Sequence, residues 1–111
     1  MNKTKEVFFV DESLRDSFFE LKSGKLEDKQ LYEFINRAID DLKINPNCGI
    51  KTPKKLWPKI YIQKYNIGNL WKYDLPNVWR VIYTIAENQV KVMSIILEWF
   101  NHKEYERKFK Y

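Results

Sequence analysis

The sequence predicts an α+β fold in which an N-terminal strand and a helical hairpin pack on an antiparallel meander sheet, followed by a short C-terminal helix. Three observations predict it: helical spacing of apolar residues between positions 31 and 42, alternation of apolar and polar residues from 70 to 85, and an apolar β-branched run at 90–99. With 111 residues, we expect one domain that spans positions 1–111.

The composition excludes several classes of protein. Hydrophobic residues make up 44% of the chain and charged residues 32%, which is enough apolar mass for a core and excludes a disordered chain. No apolar run approaches the roughly 20 residues that span a bilayer, and the apolar stretch near the N-terminus is too short for a signal peptide. A lone cysteine, Cys48, excludes a disulfide framework. We therefore expect a cytoplasmic protein without a membrane partner.

The first half of the chain predicts a strand and two helices. Val7–Val10 is typical of a short strand, and Asp11 is a suitable N-cap for the helix that follows it. Ser23-Gly24 ends this first helix, and Pro46 sets the end of the second. The second helix carries one apolar stripe at helical spacing. The stripe consists of Leu31, Phe34, Ile35, Ala38 and Leu42.

Residues 50–69 show no sustained period and contain Pro53 and Pro58, which predicts a long loop without regular structure. Positive charge is concentrated in this half of the chain: residues 1–44 hold 8 Lys/Arg and 10 Asp/Glu, whereas residues 45–111 hold 12 and 5. Lysines interleaved with aromatic residues favour RNA binding, and a solvated lysine-rich loop is the alternative. The candidate RNA-binding residues are Lys51, Lys54, Lys55, Lys59 and Lys64.

Residues 70–99 predict a three-stranded meander of Leu70–Leu75, Trp79–Ile85 and Val90–Trp99. A register that keeps the large aromatic residues on one face sets Asp74 opposite Arg80 across a three-residue turn. The same register places Lys72, Asp74 and Arg80 on the other face. If the helices cover the aromatic face, this second face is a partly open, charged surface.

The C-terminal segment Asn101–Lys110 is predicted to be helical, with His102 and Tyr105 on one side of it. Together with Lys72 and Arg80 these residues are a set suited to metal-free RNA cleavage. That reaction needs a proton acceptor, cations around the phosphorus and a proton donor. Because we find no glycine-rich phosphate loop and no metal-ligand spacing, we expect no metal and no small-molecule cofactor.

Each of these residues also has a purely structural interpretation. Arg80 would then form a sheet-surface ion pair with Asp74. Tyr105 would pack its ring on the sheet, and Lys72 and His102 would be solvated polar groups. The sequence leaves both interpretations open.

Two stretches of the chain resemble the RelE/ParE toxin superfamily. The run Gly68–Leu75 followed by Trp79–Ile85 is similar to that family's "G-x-L/W" strand and the "Y/W-R-V/L-I/V-Y" strand after it. His102–Glu106 is similar to its closing "H-x-x-Y" segment. The predicted order of elements is also similar, so the resemblance covers nearly the whole chain.

The resemblance implies the toxin of a type II toxin–antitoxin system, a ribosome-dependent endoribonuclease that cuts mRNA without a metal. Its implied partners are the ribosome, mRNA and a RelB-like antitoxin, whose acidic amphipathic segment would cover the basic face. By the same resemblance, Arg80 holds the scissile phosphate and His102 acts as acid or base. Tyr105 and Lys72 match the family's C-terminal tyrosine and the lysine at the start of its catalytic strand.

Two positions depart from the family's pattern. Asp74 stands where RelE-like members often carry a second basic residue, and Trp99 stands about where a further arginine is expected. These departures keep two alternatives open: a ParE-like toxin that inhibits DNA gyrase without catalysis, and a decayed toxin that only binds antitoxin or RNA.

Overall fold

The computed structural model describes residues 3–109. Within this range five strands form one sheet in the order β1-β5-β4-β3-β2. The strands are β1 (Thr4–Phe9), β2 (Ile50–Lys51), β3 (Trp71–Asp74), β4 (Arg80–Glu87) and β5 (Lys91–Phe100), and the helices are α1 (Glu12–Glu20), α2 (Leu26–Ile44), α3 (Lys59–Tyr65) and α4 (His102–Phe109). The predicted α+β class is confirmed. Lys110, the last residue of the predicted C-terminal helix, lies outside the described residues.

The sheet is mixed rather than wholly antiparallel. The meander β3-β4-β5 is antiparallel as predicted, while β1 pairs with β5 in parallel and so forms one edge. The predicted register is confirmed, since Asp74 pairs with Arg80 and Lys72 with Ile82. In the three-residue turn between β3 and β4, Val78 has φ 57°, a strained conformation for a β-branched residue.

The helical hairpin of α1 and α2 covers the aromatic face of the sheet. Its N-cap is the predicted one, because the Leu14 N–H donates to Asp11 Oδ1 at 2.8 Å. Most of the predicted apolar stripe is buried, with Phe34 only partly so. This first core consists of Phe18, Leu31, Ile35, Ala38, Leu42, Leu75, Val81, Tyr83 and Ile96.

Two side chains tie α2 and the segment after it to the sheet. The Tyr83 hydroxyl donates to the Pro46 carbonyl at 2.7 Å and accepts from the Gly49 N–H at 3.2 Å. The Tyr73 hydroxyl donates to the Asp41 carboxylate. Burial, followed by this hydrogen bond, raises the pKa of Tyr73 to about 12.

The expectation of a loop without regular structure over residues 50–69 is wrong. The segment contains β2, a 3-10 turn and the helix α3. Pro58 directly precedes α3, a position where proline does not interrupt helical hydrogen bonds. Tyr61 and Tyr65 lie one turn apart with ring centroids 6.2 Å apart. The helix has seven residues, too few for a repeating apolar pattern to reveal it.

The second face of the sheet is therefore largely covered, which corrects the expectation of a partly open surface. A second core packs α3 and α4 against this face; it consists of Tyr61, Leu70, Ile82, Leu97, Phe100, Tyr105 and Phe109. A bulge contributes to it, because Ile82 pairs with Glu98 and Tyr83 with Ile96, leaving Leu97 as the extra residue. The edge beside Lys72 and Asp74 keeps its charged character, and Glu98, which pairs with Ile82 on the same face, lies 3.8 Å from Lys108 of α4.

Among residues 3–109, none of the helices combines the length and the apolar character needed to cross a bilayer.

Candidate functional site

The four residues predicted to be catalytic lie together at one edge of the second face. Lys72 is on β3, Arg80 begins β4, and His102 and Tyr105 are on α4. Arg80 and Lys72 share a face because Asp74, two residues from Lys72, pairs directly with Arg80. We call Lys72, Asp74, Arg80, His102 and Tyr105 the cationic cluster.

The start of α4 brings its two residues to Arg80. Phe100, the last residue of β5, pairs with Arg80, so the chain turns into α4 beside the guanidinium. A reciprocal cap fixes this turn. The Glu104 N–H donates to Asn101 Oδ1 at 2.9 Å, and the Asn101 N–H donates to Glu104 Oε1 at 3.2 Å. Such a capping box satisfies two backbone donors at the helix start.

Arg80 is the centre of the cluster. Its Nη1 lies 3.2 Å from His102 Nδ1, and its guanidinium carbon lies 4.6 Å from the centroid of the Tyr105 ring. The Arg80 side chain is only 16% exposed. A cation over an aromatic face gains electrostatic attraction from the ring, so Tyr105 stabilises Arg80 in this position.

Asp74 lies between the two cations. Its Oδ1 is 3.3 Å from Lys72 Nζ and 3.4 Å from Arg80 Nε. The contact with Arg80 is an ion pair only, since the buried Nε has no hydrogen-bond acceptor among the described residues. The structural interpretation of Arg80 as a partner of Asp74 is thus observed, and any anion that binds Arg80 competes with this carboxylate.

The contacts of His102 define its tautomer. A guanidinium only donates hydrogen bonds, so Nδ1 facing Arg80 is the acceptor and the proton resides on Nε2. Nε2 in turn donates to the Glu106 carboxylate one helical turn away. The His102 side chain is 50% exposed, which leaves the ring accessible to a ligand.

Tyr105 is buried, with 2% of its surface exposed. Its ring stacks on Phe109 with centroids 4.5 Å apart, and Lys72 Nζ lies 5.6 Å from its centroid. The interpretation in which Tyr105 packs its ring on the sheet is therefore observed. In this position the face of the Tyr105 ring contacts both cations, Lys72 and Arg80.

The five candidate RNA-binding lysines are spread over three neighbouring depressions that share lining residues. Lys51 and Lys54 line a shallow cavity beside β2. Lys55 and Lys59 line a larger open groove of about 760 Å³ between α4 and the segment that leads into α3. Lys64 lies near the other end of α3, on a depression that shares Ile60 and Lys108 with the larger groove.

The larger groove has an apolar floor and a basic rim, and we call it the α3–α4 groove. Arg107 and Lys108 join the two lysines on its rim, against one acid, Glu104. Among residues 3–109, Lys55, Lys59 and Arg107 have no carboxylate partner. Half-buried Trp57 contributes to the floor and donates its Nε1–H to the Thr52 carbonyl at 2.9 Å.

Three residues of the two regions were not predicted from the sequence: Glu106, Arg107 and Lys108. Arg107 and Lys108 were hidden among the polar residues of the last helix. Glu106 was detectable, because its spacing of four from His102 predicts a contact on a helix. Trp99, where the resemblance leads one to expect an arginine, pairs with Val81 and packs on the first core. An arginine at that position would point away from the cationic cluster.

Comparison with protein-family models, with curated proteins and with solved structures gave no match. The RelE/ParE resemblance therefore rests on the motifs of residues 68–85 and 102–106. Within the described range, no three His, Cys, Asp or Glu side chains converge as a metal centre requires.

Proposed function

We propose that this protein is a RelE-like toxin and cuts mRNA on the ribosome by a metal-free reaction. The observation that carries the proposal is the position of Arg80, which contacts both His102 and Tyr105 while Lys72 lies over the same aromatic ring. Two cations and a half-exposed imidazole at one edge of the sheet are the groups that phosphodiester cleavage through the 2′-hydroxyl requires.

The proposed reaction assigns one task to each group. His102 takes the proton of the 2′-hydroxyl as its oxygen attacks the phosphorus. Arg80 and Lys72 bind the phosphate oxygens and stabilise the charge that develops on them. The bond to the 5′ oxygen breaks, the Lys72 ammonium protonates this oxygen, and the products are a 2′,3′-cyclic phosphate and a 5′-hydroxyl end.

Binding and proton transfer are coupled in this proposal. The lone pair on His102 Nδ1 accepts from Arg80 in the free protein. A phosphate that takes over the guanidinium releases Nδ1, so the base becomes available only with substrate in place. Tyr105 is buried and acts by positioning Arg80 rather than by touching RNA.

The partners of the proposed toxin are mRNA, the ribosome and a neutralising antitoxin in the cytoplasm. The uncompensated cations on the rim of the α3–α4 groove support a polyanionic partner, because such surfaces attract acidic segments and RNA alike.

Expression of the chain in bacteria tests the proposal. We expect growth arrest and new mRNA 5′ ends that fall within translated codons and disappear when initiation is blocked. A chain that leaves growth and mRNA ends unchanged contradicts the proposal. Arg15→Ala is a suitable active control, since Arg15 lies on α1 with only exposed ion pairs.

A ParE-like inhibitor of DNA gyrase is the second candidate. Two observations favour it: Tyr105 is buried, and the Asp74 carboxylate lies between the two cations. A protein that only binds gyrase needs neither an accessible Tyr105 nor a free pair of cations. A supercoiling assay separates the candidates: inhibition of gyrase without RNA cleavage supports this one and contradicts the nuclease.

A further inference from the structure

Asp74 occupies the position where an anion would bind between Lys72 and Arg80. One oxygen, Oδ1, approaches Lys72 Nζ at 3.3 Å and Arg80 Nε at 3.4 Å. We infer that Asp74 is a specificity-determining residue: it excludes isolated phosphates from this pair of cations and admits only an RNA strand whose other phosphates bind elsewhere on the protein. The inference rests on the proposed function, because it concerns the same site.

The three side chains differ in how readily they move. Asp74 is 49% exposed, whereas the side chains of Lys72 and Arg80 are 18% and 16% exposed. Asp74 also ends β3, next to the turn that leads to β4. The carboxylate can therefore rotate into solvent while the cations stay in place. Because it is part of the chain, it competes at a high effective concentration that a free phosphate does not match.

A longer strand gains contacts that compensate for displacing Asp74. Phe100 is near both regions, since it pairs with Arg80 across the strands and also lines the α3–α4 groove. Lys55, Lys59 and Arg107 on that rim supply further phosphate contacts, and each contact releases counterions. A mononucleotide carries a single phosphate and gains none of these further contacts, so it does not offset the loss of the Asp74 ion pairs.

Asp74→Asn tests the inference, because it keeps the shape of the side chain and removes its charge. The matched control is Glu20→Gln, which changes net charge equally at an exposed position on α1. The probes are uridine monophosphate and a 12-nucleotide 2′-O-methyl oligouridylate that cannot be cleaved through its 2′ oxygens. Binding is measured by calorimetry and by fluorescence anisotropy.

We expect the wild-type protein to bind the oligonucleotide and not the mononucleotide. In Asp74→Asn the oligonucleotide should bind roughly 3- to 30-fold tighter, the range that two partly exposed ion pairs contribute, and mononucleotide binding should become measurable. Glu20→Gln should stay within about twofold of wild type because of screening at a distance. The gain should vanish in Asp74→Asn combined with Arg80→Ala.

Several outcomes overturn the inference. One is equal binding by wild type and Asp74→Asn, and another is no binding of either probe by any variant. A hexaglutamate peptide that gains as much as the oligonucleotide from Asp74→Asn overturns the assignment to RNA.

The mRNA assay separates this inference from the proposed function. Tighter RNA binding by Asp74→Asn, with no mRNA cleavage by the wild-type protein, supports the inference about Asp74 and contradicts the proposed nuclease. Cleavage of mRNA by the wild-type protein, together with unchanged RNA binding in Asp74→Asn, supports the nuclease and contradicts the inference about Asp74.

Discussion

The guanidinium carbon of Arg80 lies 4.6 Å from the centroid of the Tyr105 ring, so a nearly buried cation rests on a buried aromatic face. This contact joins the first residue of β4 to α4 and holds Arg80 between His102 and Asp74. The cluster therefore depends on the packing of α4 as much as on the sheet. The candidate site and the second core therefore share the side chain of Tyr105.

Tyr105→Phe and Tyr105→Leu separate the ring of Tyr105 from its hydroxyl. The ring is the part that supports Arg80, so Tyr105→Phe should keep kcat/KM for RNA cleavage within about threefold, since a positioning contact is retained. Tyr105→Leu removes the aromatic face and should lower kcat/KM by about 100-fold while costing about 1–3 kcal/mol of stability. A loss in Tyr105→Phe equal to that in Tyr105→Leu would assign chemistry to the hydroxyl instead.

Replacing Val78 with glycine should stabilise the protein. Val78 has φ 57°, which costs a residue with a Cβ about 1–2 kcal/mol, whereas glycine loses about 0.5–1 kcal/mol through its greater freedom in the unfolded chain. The net gain expected in a urea titration lies between about 0 and 1.5 kcal/mol. Val90→Gly is the control: Val90 is exposed in the other hairpin turn without a positive φ and should lose stability. A lower free energy of unfolding in Val78→Gly than in the wild-type protein would show that the backbone of Val78 is not strained.

Tyr73 should contribute to a fall in stability between pH 10 and 12, in which Tyr61 and Tyr83, whose pKa values are also raised by burial, take part. The pKa of Tyr73 is raised from 10.0 to about 12 in the folded protein, so the unfolded chain releases this proton first as the pH rises. The contribution of Tyr73 to the free energy of unfolding is therefore complete below pH 10 and is lost as the pH passes through 12. Tyr73→Phe removes this titration and should flatten the decline in the free energy of unfolding over that range. Identical pH profiles for both proteins would show that Tyr73 does not contribute.

Gly49→Ala should destabilise the protein by about 1–3 kcal/mol through overpacking. A Cβ at Gly49 would lie 2.5 Å from the Lys72 carbonyl oxygen and 2.5 Å from the Tyr83 hydroxyl. Gly49 has φ −81°, so the effect is one of space alone. At Gly68 nothing lies within 4 Å of the added atom, and Gly68→Ala should be neutral or slightly stabilising. Equal melting temperatures for the two variants would contradict this packing.

The strand register was predictable because alternation and a three-residue turn leave one pairing that keeps the aromatic residues together. That pairing placed Asp74 opposite Arg80 correctly. The helix α3 was not predictable, since seven residues are too few to show a period and prolines precede them. The parallel pairing of β1 with β5 depends on contacts between the two ends of the chain, which local patterns do not encode.

The residues of the candidate site were predictable from the sequence, but their burial was not. Spacing placed His102 and Tyr105 on one side of a helix, and the register placed Lys72 and Arg80 on one face. Whether that face is open depends on α3, whose Tyr61 packs in the same core as Tyr105. Because α3 was not predicted, the sequence could not decide between an accessible Tyr105 and a Tyr105 ring packed on the sheet.

Single-turnover cleavage of mRNA on programmed ribosomes, with Arg80→Ala compared with Arg15→Ala, shows whether Arg80 stabilises the transition state. Both substitutions remove one positive charge, but only Arg80 contacts His102 and Tyr105. We expect a rate about 100-fold or more below wild type for Arg80→Ala, the loss typical of a transition-state charge contact, and an unchanged rate for Arg15→Ala. Equal rates for the two variants, in folded proteins with matching melting curves, would contradict this role of Arg80.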